Sequence, residues 1–111
     1  MNYYLDASNV RIYIVKVRTL IISPAILEKL QTKHDVSIRD IEQCFDNRIG
    51  DYLEDADEDH QTDPPSLWFV APTNCDQLLK IIFVFQDGNI YVKSAFPANA
   101  KAIKLYETHG K

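Results

Sequence analysis

The chain contains little glycine and little cysteine, which excludes several common kinds of functional site. Its 111 residues include three glycines and two cysteines. It has no glycine-rich loop of the P-loop or dinucleotide-binding type and no nucleophile elbow, because these motifs need glycines at fixed spacing. Cys44 and Cys75 lack the CxxC spacing of zinc sites and redox centres. We therefore expect two reduced thiols, one on a helix and one in a loop.

Long apolar runs are also absent from the sequence. No run is longer than five residues, as in Ile81 to Phe85, whereas a membrane-spanning helix needs roughly 18. The segment after Met1 lacks the basic and apolar regions of a secretory signal peptide. We expect a cytoplasmic protein without membrane association, in which residues 1–111 form a single domain. Residues 1–10 show no clear pattern and are expected to be disordered or to extend a strand.

Acidic residues are concentrated in the middle of the chain. Ten of the sixteen carboxylates lie between Asp40 and Asp63, where Arg48 is the only cation. This segment has a net charge of −9, while the flanking residues together carry +5. Buried charge is costly, so residues 50–66 are predicted to form a long acidic loop in solvent. The mildly basic remainder of the surface can still meet phosphate locally.

Three short helices are predicted. Ser23 followed by Pro24 is a typical helix start, since serine caps the first turn and proline fits the first helical position. Ser37, with Asp40 three residues later, has the pattern of a capping box and predicts a second helix directly after the first. A third helix is predicted to begin after Asn99, near the end of the chain.

Strands are predicted on both sides of the first two helices. The β-branched and aromatic residues of Arg11–Ile22 predict a first strand. Three more follow in the second half, and Asp87-Gly88 between the last two is the pattern of a two-residue hairpin turn. The nearly continuous apolar sequence of the middle one indicates a central strand covered on both faces. These three strands are Leu67–Ala71, Leu78–Gln86 and Asn89–Ala95.

The element order β-α-α-β-β-β-α predicts an α+β fold. We expect a small antiparallel sheet of about four strands, in which the three C-terminal strands form a meander and the N-terminal strand joins them. The two N-terminal helices and the C-terminal helix are expected to pack on this sheet.

The acidic segment does not fit a dedicated metal site. Asp55, Asp57 and Asp59 resemble the start of a calcium-binding loop, which needs glycine at its sixth position and glutamate at its twelfth. These positions hold His60 and Ser66. We therefore expect no metal and no cofactor, and leave open only a casual contact with a divalent ion.

His60 and Asp63 lie three residues apart beside two prolines. A histidine next to a carboxylate suits general acid–base catalysis near neutral pH. The alternative is that both side chains cap the turn before the Trp68 strand, as aspartate before proline often does, and residue type alone favours this alternative. His34 is expected at a helix end, and His109, near the C-terminus, is assigned no role.

Three cations are candidates for binding phosphate. Lys80 and Lys93 lie on predicted strands, and Arg48 follows the second helix. Together they could form a cationic patch that stabilises the charge of a pentacoordinate phosphorus, whereas each alone has the ordinary alternative of a solvated surface charge. One exposed aromatic ring could also stack on a base, although most of the aromatic residues in these strands are expected in the core. They are Trp68, Phe69, Tyr91 and Phe96.

Two groups of short motifs indicate a relationship to a known family. Lys33–Ser37 reads KHDVS and is followed by Phe45-Asp46. Ile90–Ala95 reads IYVKSA, and Tyr106-Glu107 follows in the last predicted helix. These motifs, between residues 23 and 107, resemble the KHGVS…F segment and the C-terminal sequence of BrnT-like toxins. BrnT-like toxins belong to the RelE/ParE superfamily of small bacterial toxins.

The resemblance implies the toxin component of a bacterial type II toxin–antitoxin system, a ribonuclease that needs no metal. It implies a cognate, DNA-binding antitoxin as partner and RNA or the ribosome as substrate, and a second copy of the chain is a further candidate partner. In such an enzyme His60 would act as acid or base and Asp63 would orient it. Lys80, Lys93 and Arg48 would stabilise phosphate.

The chain departs from the family pattern at two positions. Asp35 replaces a glycine, and Phe96 replaces an arginine that is expected to face RNA. The chain is also acidic, whereas most RelE-like nucleases are basic. A non-catalytic interaction module with the same fold, whose acidic loop binds a basic partner, is therefore an alternative.

The stretch His60–Pro65 followed by Trp68-Phe69 supports a third and least favoured interpretation. It is similar to a subgroup of sequences labelled as ADP-ribosyl-dinitrogen reductase hydrolases. The established hydrolases of that name are much larger helical proteins that bind two metal ions. This chain shows no such set of ligands, so the resemblance implies little about its chemistry.

Overall fold

The computed structural model describes residues 19–55 and 63–111, together with the backbone of residues 3–5 and 11–13. The described chain has an α+β fold, which confirms the predicted fold class. No helix in these ranges is long and apolar enough to cross a membrane. The elements in chain order are β1 (Tyr3–Leu5), β2 (Arg11–Tyr13), β3 (Leu20–Ile21), α1 (Pro24–Lys33), α2 (Ile38–Asn47), β4 (Leu53–Glu54), β5 (Ser66–Pro72), β6 (Leu78–Gln86), β7 (Asn89–Pro97) and α3 (Ala100–His109).

Helices α1 and α2 begin where their capping residues predict. At the start of α1 the Ser23 hydroxyl accepts a hydrogen bond from the Ile26 N–H at 3.2 Å. At the start of α2 the Ser37 hydroxyl accepts from the Asp40 N–H at 3.1 Å, and the Asp40 carboxylate accepts from the Ser37 N–H at 3.0 Å. This reciprocal pair is the predicted capping box, because each side chain satisfies a backbone donor that the helix leaves unpaired.

Asp35, between α1 and α2, lies in the left-handed backbone region, with a φ of 53°. Glycine adopts this region readily, and aspartate is one of the few other residues that tolerate it. The turn allows the Val36 N–H to donate to the Leu30 carbonyl at 2.9 Å, and both of those side chains are buried. Asp35 therefore meets the same backbone requirement that a glycine would meet here.

The main sheet has five strands in the order β3-β7-β6-β5-β4. Strands β5, β6 and β7 form the predicted antiparallel meander, and β6 is central as expected. The sheet differs from the prediction because it is mixed: β3 pairs in parallel with β7, Leu20 with Ile90 and Ile21 with Tyr91. Helices α1 and α2 connect β3 at one edge of the sheet to β4 at the other edge. From β4 the strands β5, β6 and β7 follow one another back across the sheet, so β7 lies beside β3.

The predicted acidic loop, residues 50–66, contains a strand. Leu53–Glu54 forms β4 and pairs with β5, Leu53 opposite Trp68, and Ser66 already belongs to β5. The Leu53 side chain packs against the hydrophobic core, and this apolar contact fixes the strand in spite of the acidic neighbours. The prediction of a loop is therefore wrong at residues 53–54 and at residue 66, which belong to strands. Residues 56–62 of the predicted loop lie outside the described residues.

The strand predicted at Arg11–Ile22 is divided between two sheets. Arg11–Tyr13 forms β2 and pairs antiparallel with β1 in a separate two-stranded sheet. Leu20–Ile21 alone joins the main sheet, as β3. Residues 14–18 lie outside the described residues, and so does most of the segment 1–10.

The hairpin between β6 and β7 turns at Asp87 and Gly88, whose φ angles are 53° and 80°. Two consecutive positive φ angles are typical of the type I′ turn, which the Asp-Gly pair favours because glycine adopts such angles without strain. The predicted hairpin is therefore confirmed. It fixes the starting register of the two longest strands of the sheet.

Helices cover both faces of the sheet. Phe69 of β5 packs against Phe45 of α2, with ring centroids 4.8 Å apart. Its neighbour Trp68 packs against Tyr106 of α3, with centroids 5.9 Å apart. Successive strand residues point to opposite faces, so α2 and α3 lie on opposite sides of the sheet. Leu30 of α1 is buried in the same core cluster.

Both ends of α3 are fixed to the rest of the fold. At its start the Asn99 side chain accepts a hydrogen bond from the Ala102 N–H at 2.8 Å, as the predicted N-cap. Near its end the Tyr106 hydroxyl donates to the Asp51 carbonyl at 2.7 Å, and the Asp51 N–H donates to the Gly110 carbonyl at 2.6 Å. These bonds hold α3 against the segment that leads into β4.

Candidate functional site

An open cleft of about 920 Å³ lies between α3 and the face of the sheet that α3 covers. Strands β4 to β7 supply its floor and one side, and α3 supplies the other side. Its lining combines apolar, basic and acidic side chains, which distinguishes it from the closed core. The lining residues are Leu53, Glu54, Asp55, Trp68, Lys80, Ile82, Ser94, Phe96, Asn99, Lys101, Ala102, Leu105 and His109.

Cross-strand neighbours build the floor of the cleft. Trp68 pairs with Ile82, and Ile82 pairs with Ser94, so these residues form one row across three strands. Lys80, two residues from Ile82, pairs with Phe96 in the next row on the same face. Directly opposed side chains of an antiparallel pair have Cβ atoms about 4.5–5.5 Å apart. The register therefore sets a cation beside an aromatic ring in the cleft.

Lys80 is half-buried, and its ammonium group lies 4.5 Å from the centroid of the Trp68 ring. A cation–π contact of this kind stabilises by about 0.5–2 kcal/mol. It also restrains a flexible lysine side chain, so the positive charge stays over the floor of the cleft. Trp68 itself is only 7 % exposed, so its ring positions the lysine and has little free surface for a ligand.

The two sides of the cleft carry opposite charges. Glu54 and Asp55 line the side formed by β4, while Lys101 and His109 line the side formed by α3, with Leu105 between them. Residues 101, 105 and 109 are four apart, so they lie along one face of the helix. A carboxylate, an imidazole and lysine ammonium groups thus share one cleft. Such a set can transfer protons and hold an anion.

Lys93, the second predicted cation, does not line this cleft. The pairing of β6 with β7 shifts by one residue after Ile82, and Lys93 is the extra residue of the resulting β-bulge. A bulge changes the direction of the local side chains. Lys93 is exposed and lines a separate depression of about 420 Å³, formed with β3 and the start of α1.

Arg48, the third predicted cation, is part of a structural contact. Its guanidinium lies 4.0 Å from the centroid of the Tyr52 ring and donates a hydrogen bond to the Gly50 carbonyl. Its Nε atom is buried and has no hydrogen-bond partner within the described part of the chain. The three predicted cations therefore have three different environments and form no common patch.

The predicted pair of His60 and Asp63 is described only in part. Asp63 is exposed, precedes a cis peptide bond to Pro64 and does not line the cleft. His60 lies outside the described residues. The acid–base interpretation and the turn-capping interpretation therefore both remain predictions from the sequence.

Glu54, Lys101 and His109 line the cleft together with Lys80 but were not predicted from the sequence as site residues. The spacing of residues 101, 105 and 109 was a visible signal for one helix face, but it does not say which face of the sheet the helix covers. Glu54 lies in a two-residue strand, which is too short for any periodic pattern. His109, to which no role was assigned, ends α3 and lines the cleft.

Neither cysteine contributes to the cleft. Cys44 in α2 is fully buried, and its thiol donates to the Ala71 carbonyl at 3.4 Å. Burial raises its pKa from 9.0 to about 12, with a further contribution from the Asp40 carboxylate, so it is a poor nucleophile. Cys75 is exposed in the loop after β5, and both thiols are free, as predicted.

The described residues hold no cluster of three or more histidine, cysteine, aspartate or glutamate side chains suited to a metal ion. No model of a known protein family matches the chain. No curated protein matches it either. Function is therefore inferred from the chemistry of the cleft and from the short motifs of residues 23–107.

Proposed function

We propose that this protein is the toxin component of a bacterial toxin–antitoxin pair, a BrnT-like ribonuclease that cleaves RNA without a metal ion. The observation that carries the proposal is the cleft, where Lys80 shares one lining with Glu54, Lys101 and His109. Cleavage of an RNA phosphodiester needs a base, an acid and a cation at the phosphate, and these residue types can supply all three. The motifs of residues 23–107 support the assignment as a toxin.

The proposed reaction needs two proton transfers. A base takes the proton of the ribose 2′-hydroxyl, and the 2′-oxygen attacks the phosphorus. An acid then protonates the leaving 5′-oxygen, which gives a 2′,3′-cyclic phosphate and a free 5′-hydroxyl. Glu54 and His109 are the candidate base and acid, and Lys80 and Lys101 stabilise the charge on the pentacoordinate phosphorus. His60 remains a second candidate for acid or base.

The turn at Asp35 supports the resemblance to BrnT-like toxins. The family motif has a glycine at this position, and Asp35 has a φ of 53°, in the region where glycine is favoured. Aspartate tolerates the same conformation. The substitution therefore keeps the local backbone that the motif implies.

RNA cleavage by the purified protein in the presence of a metal chelator tests the enzymatic part of the proposal. Lys80→Gln should lower the cleavage rate by about 10-fold or more, because the cleft loses a cation that stabilises the charged phosphorus. Lys93→Gln is the matched control and should cleave like the wild type, since Lys93 lines a different depression. Equal losses in both variants would contradict the role of Lys80, and an inactive wild-type protein would overturn the ribonuclease. His60→Gln in the same assay tests whether His60 acts as the acid or the base.

Inducible expression in bacteria tests the toxin part of the proposal. Expression should arrest growth and translation, and co-expression of a short neighbouring reading frame for a DNA-binding antitoxin should restore both. The Lys80→Gln variant should accumulate without arresting growth. Normal growth at full expression of the wild-type protein would contradict the assignment as a toxin.

A non-catalytic interaction module is the second candidate, and the apolar part of the cleft favours it. Leu53, Trp68 and Ile82 form an apolar floor, and Leu105 at the side is 41 % exposed. The acidic loop of residues 50–66, of which Glu54 and Asp55 line the cleft, would then bind a basic protein partner. Salt-sensitive binding of a basic protein, together with no RNA cleavage and no effect on growth, would support this candidate.

A further inference from the structure

Phe96 and Lys80 form a pair whose chemistry matches a nucleotide of a single strand. The two residues are directly opposed on β7 and β6, and both line the cleft. Their Cβ atoms are therefore about 5 Å apart. Proteins hold single-stranded nucleic acid with aromatic rings that stack on bases and with cations that follow the phosphates.

Phe96 is placed at the edge of the core, where its ring can meet a ligand. It is half-buried, whereas its neighbour Ala95 is completely buried on the opposite face. Its ring contacts the His34 ring at the end of α1, with centroids 5.7 Å apart and planes inclined by 43°. This contact fixes the ring in position while the side chain still lines the cleft.

Trp68, which also lines the cleft, is not available for stacking. Trp68 is 7 % exposed, and its ring is already in contact with Lys80 and Tyr106. Of Trp68 and Phe96, it is therefore Phe96 that has ring surface in the cleft to accept a base. Lys101 lies five residues further along the chain and lines the same cleft, so the cleft that holds Phe96 contains a second cation.

We propose that the cleft binds single-stranded RNA, with one base stacked on Phe96 and an adjacent phosphate at Lys80. The inference rests on the proposed ribonuclease function and names its substrate class. In a duplex the bases are stacked on one another and paired, so they cannot reach a ring in the floor of a cleft. Unpaired RNA can turn one base out onto Phe96.

The chain offers a direct reporter for this binding. Trp68 is its only tryptophan, and it contacts Lys80 at the proposed phosphate site. The test titrates the full chain with a 2′-O-methyl oligoribonucleotide of about ten nucleotides, which cannot be cleaved because the attacking hydroxyl is blocked. Binding should change the fluorescence of Trp68 in a saturable way.

Two variants of Phe96 and one control separate stacking from stability. Phe96→Leu should weaken binding of the oligonucleotide by about 10-fold, since it removes the ring and keeps an apolar side chain. Phe96→Tyr keeps the ring and should bind like the wild type. Tyr91→Leu is the control, because Tyr91 lines the separate depression beside Lys93 and should not affect the affinity.

The outcomes distinguish this inference from the proposed function. Equal affinity of Phe96→Leu and the wild type would overturn the inference, as would equal affinity for a duplex of the same sequence. Binding that depends on Phe96 without cleavage of ordinary RNA would uphold the site and overturn only the ribonuclease. A response of Trp68 to a basic protein and none to RNA would overturn the inference in favour of a protein partner.

Discussion

Gly50 is a residue at which an added side chain has almost no room. A Cβ atom there would lie 2.5 Å from the Tyr106 hydroxyl oxygen and 2.6 Å from the Gly110 carbonyl oxygen. Neither atom is free to move, because the Tyr106 hydroxyl donates to Asp51 and Asp51 donates to Gly110. The attachment of α3 to the segment before β4 therefore depends on a close approach of two backbones.

We predict that Gly50→Ala lowers the free energy of unfolding by about 1–3 kcal/mol, because the end of α3 must shift to accommodate the methyl group. Urea denaturation followed by Trp68 fluorescence measures this change. Ile49→Ala is the neighbouring control: Ile49 is 81 % exposed, so its truncation should change the free energy by less than about 0.5 kcal/mol. Equal unfolding midpoints for Gly50→Ala and the wild type would contradict the close packing.

Cys44 makes the stability of the fold sensitive to alkaline pH. Burial, and to a smaller extent the Asp40 carboxylate, raise the pKa of its thiol from 9.0 to about 12. The folded state therefore holds the thiol proton more tightly than the unfolded state does. This contribution to stability is complete below pH 9 and is lost as the pH rises towards 12.

We predict that the free energy of unfolding falls more steeply above pH 9 in the wild type than in Cys44→Ala, by up to about 1.4 kcal/mol per pH unit. Denaturation curves at a series of pH values measure the two slopes. Burial also raises the pKa of the Tyr106 hydroxyl. Its effect on the pH dependence of stability is the same in the wild type and in Cys44→Ala, so it cancels when the two slopes are compared. Parallel pH profiles would contradict the raised pKa of the Cys44 thiol in the folded state.

At the scale of elements, α3 brings its cleft residues together through helical spacing alone. Lys101, Leu105 and His109 line the cleft, whereas Lys104 is exposed and does not. The helix is also fixed at both ends, so these side chains have a defined position relative to Lys80. Substitutions on the face of α3 that lines the cleft are therefore expected to affect activity, whereas substitutions of exposed residues outside the cleft are not.

We predict that His109→Gln lowers RNA cleavage by about 100-fold, the scale of a lost general acid. Lys101→Gln should have a smaller effect, since a second cation remains in the cleft. Lys104→Gln removes one positive charge from the same helix, as Lys101→Gln does, and should leave the rate of cleavage unchanged. Initial rates on one RNA substrate measure all three variants. If Lys104→Gln and Lys101→Gln lose equal activity, the effect comes from net charge and not from the cleft.

The elements with local signals were predictable from the sequence. The capping box at Ser37 and Asp40 and the turn at Asp87-Gly88 depend on hydrogen bonds and φ angles within a few residues, and the structure confirms them. Strand β4 and the parallel pairing of β3 were not predictable. Each has two residues, and their pairing depends on partners far away in the chain.

One residue in β7 is the reason why Lys93 does not join Lys80 in the cleft. Counted from the hairpin turn, where Gln86 pairs with Asn89, a regular ladder would set Ile82 opposite Lys93. That register would place Lys93 on the face of Lys80, in agreement with the predicted cationic patch. The bulge at Lys93 shifts the pairing by one residue, so that Phe96 lies opposite Lys80 instead. Sequence alone carries no signal for this shift.

At the scale of the whole molecule, charge opposes the binding of RNA. The net charge is −4, because the segment from Asp40 to Asp63 carries −9 and the rest of the chain carries +5. Part of this segment, Glu54 and Asp55, lines the cleft. Charges act over a Debye length of about 10 Å at 0.1 M salt, so carboxylates joined to this side of the cleft should weaken RNA binding more than distant ones.

We predict that neutralising residues 57–59 strengthens the binding of single-stranded RNA several-fold at low salt, because the chain loses three negative charges from the segment that follows Asp55. The gain should shrink at high salt, where screening removes the repulsion. A control with the same change of net charge alters three acids that do not line the cleft, and it should gain much less. Equal gains in the two variants, measured with the 2′-O-methyl oligonucleotide, would show that only the total charge matters. The test variant is Asp57→Asn, Glu58→Gln and Asp59→Asn, and the control is Asp76→Asn, Asp87→Asn and Glu107→Gln.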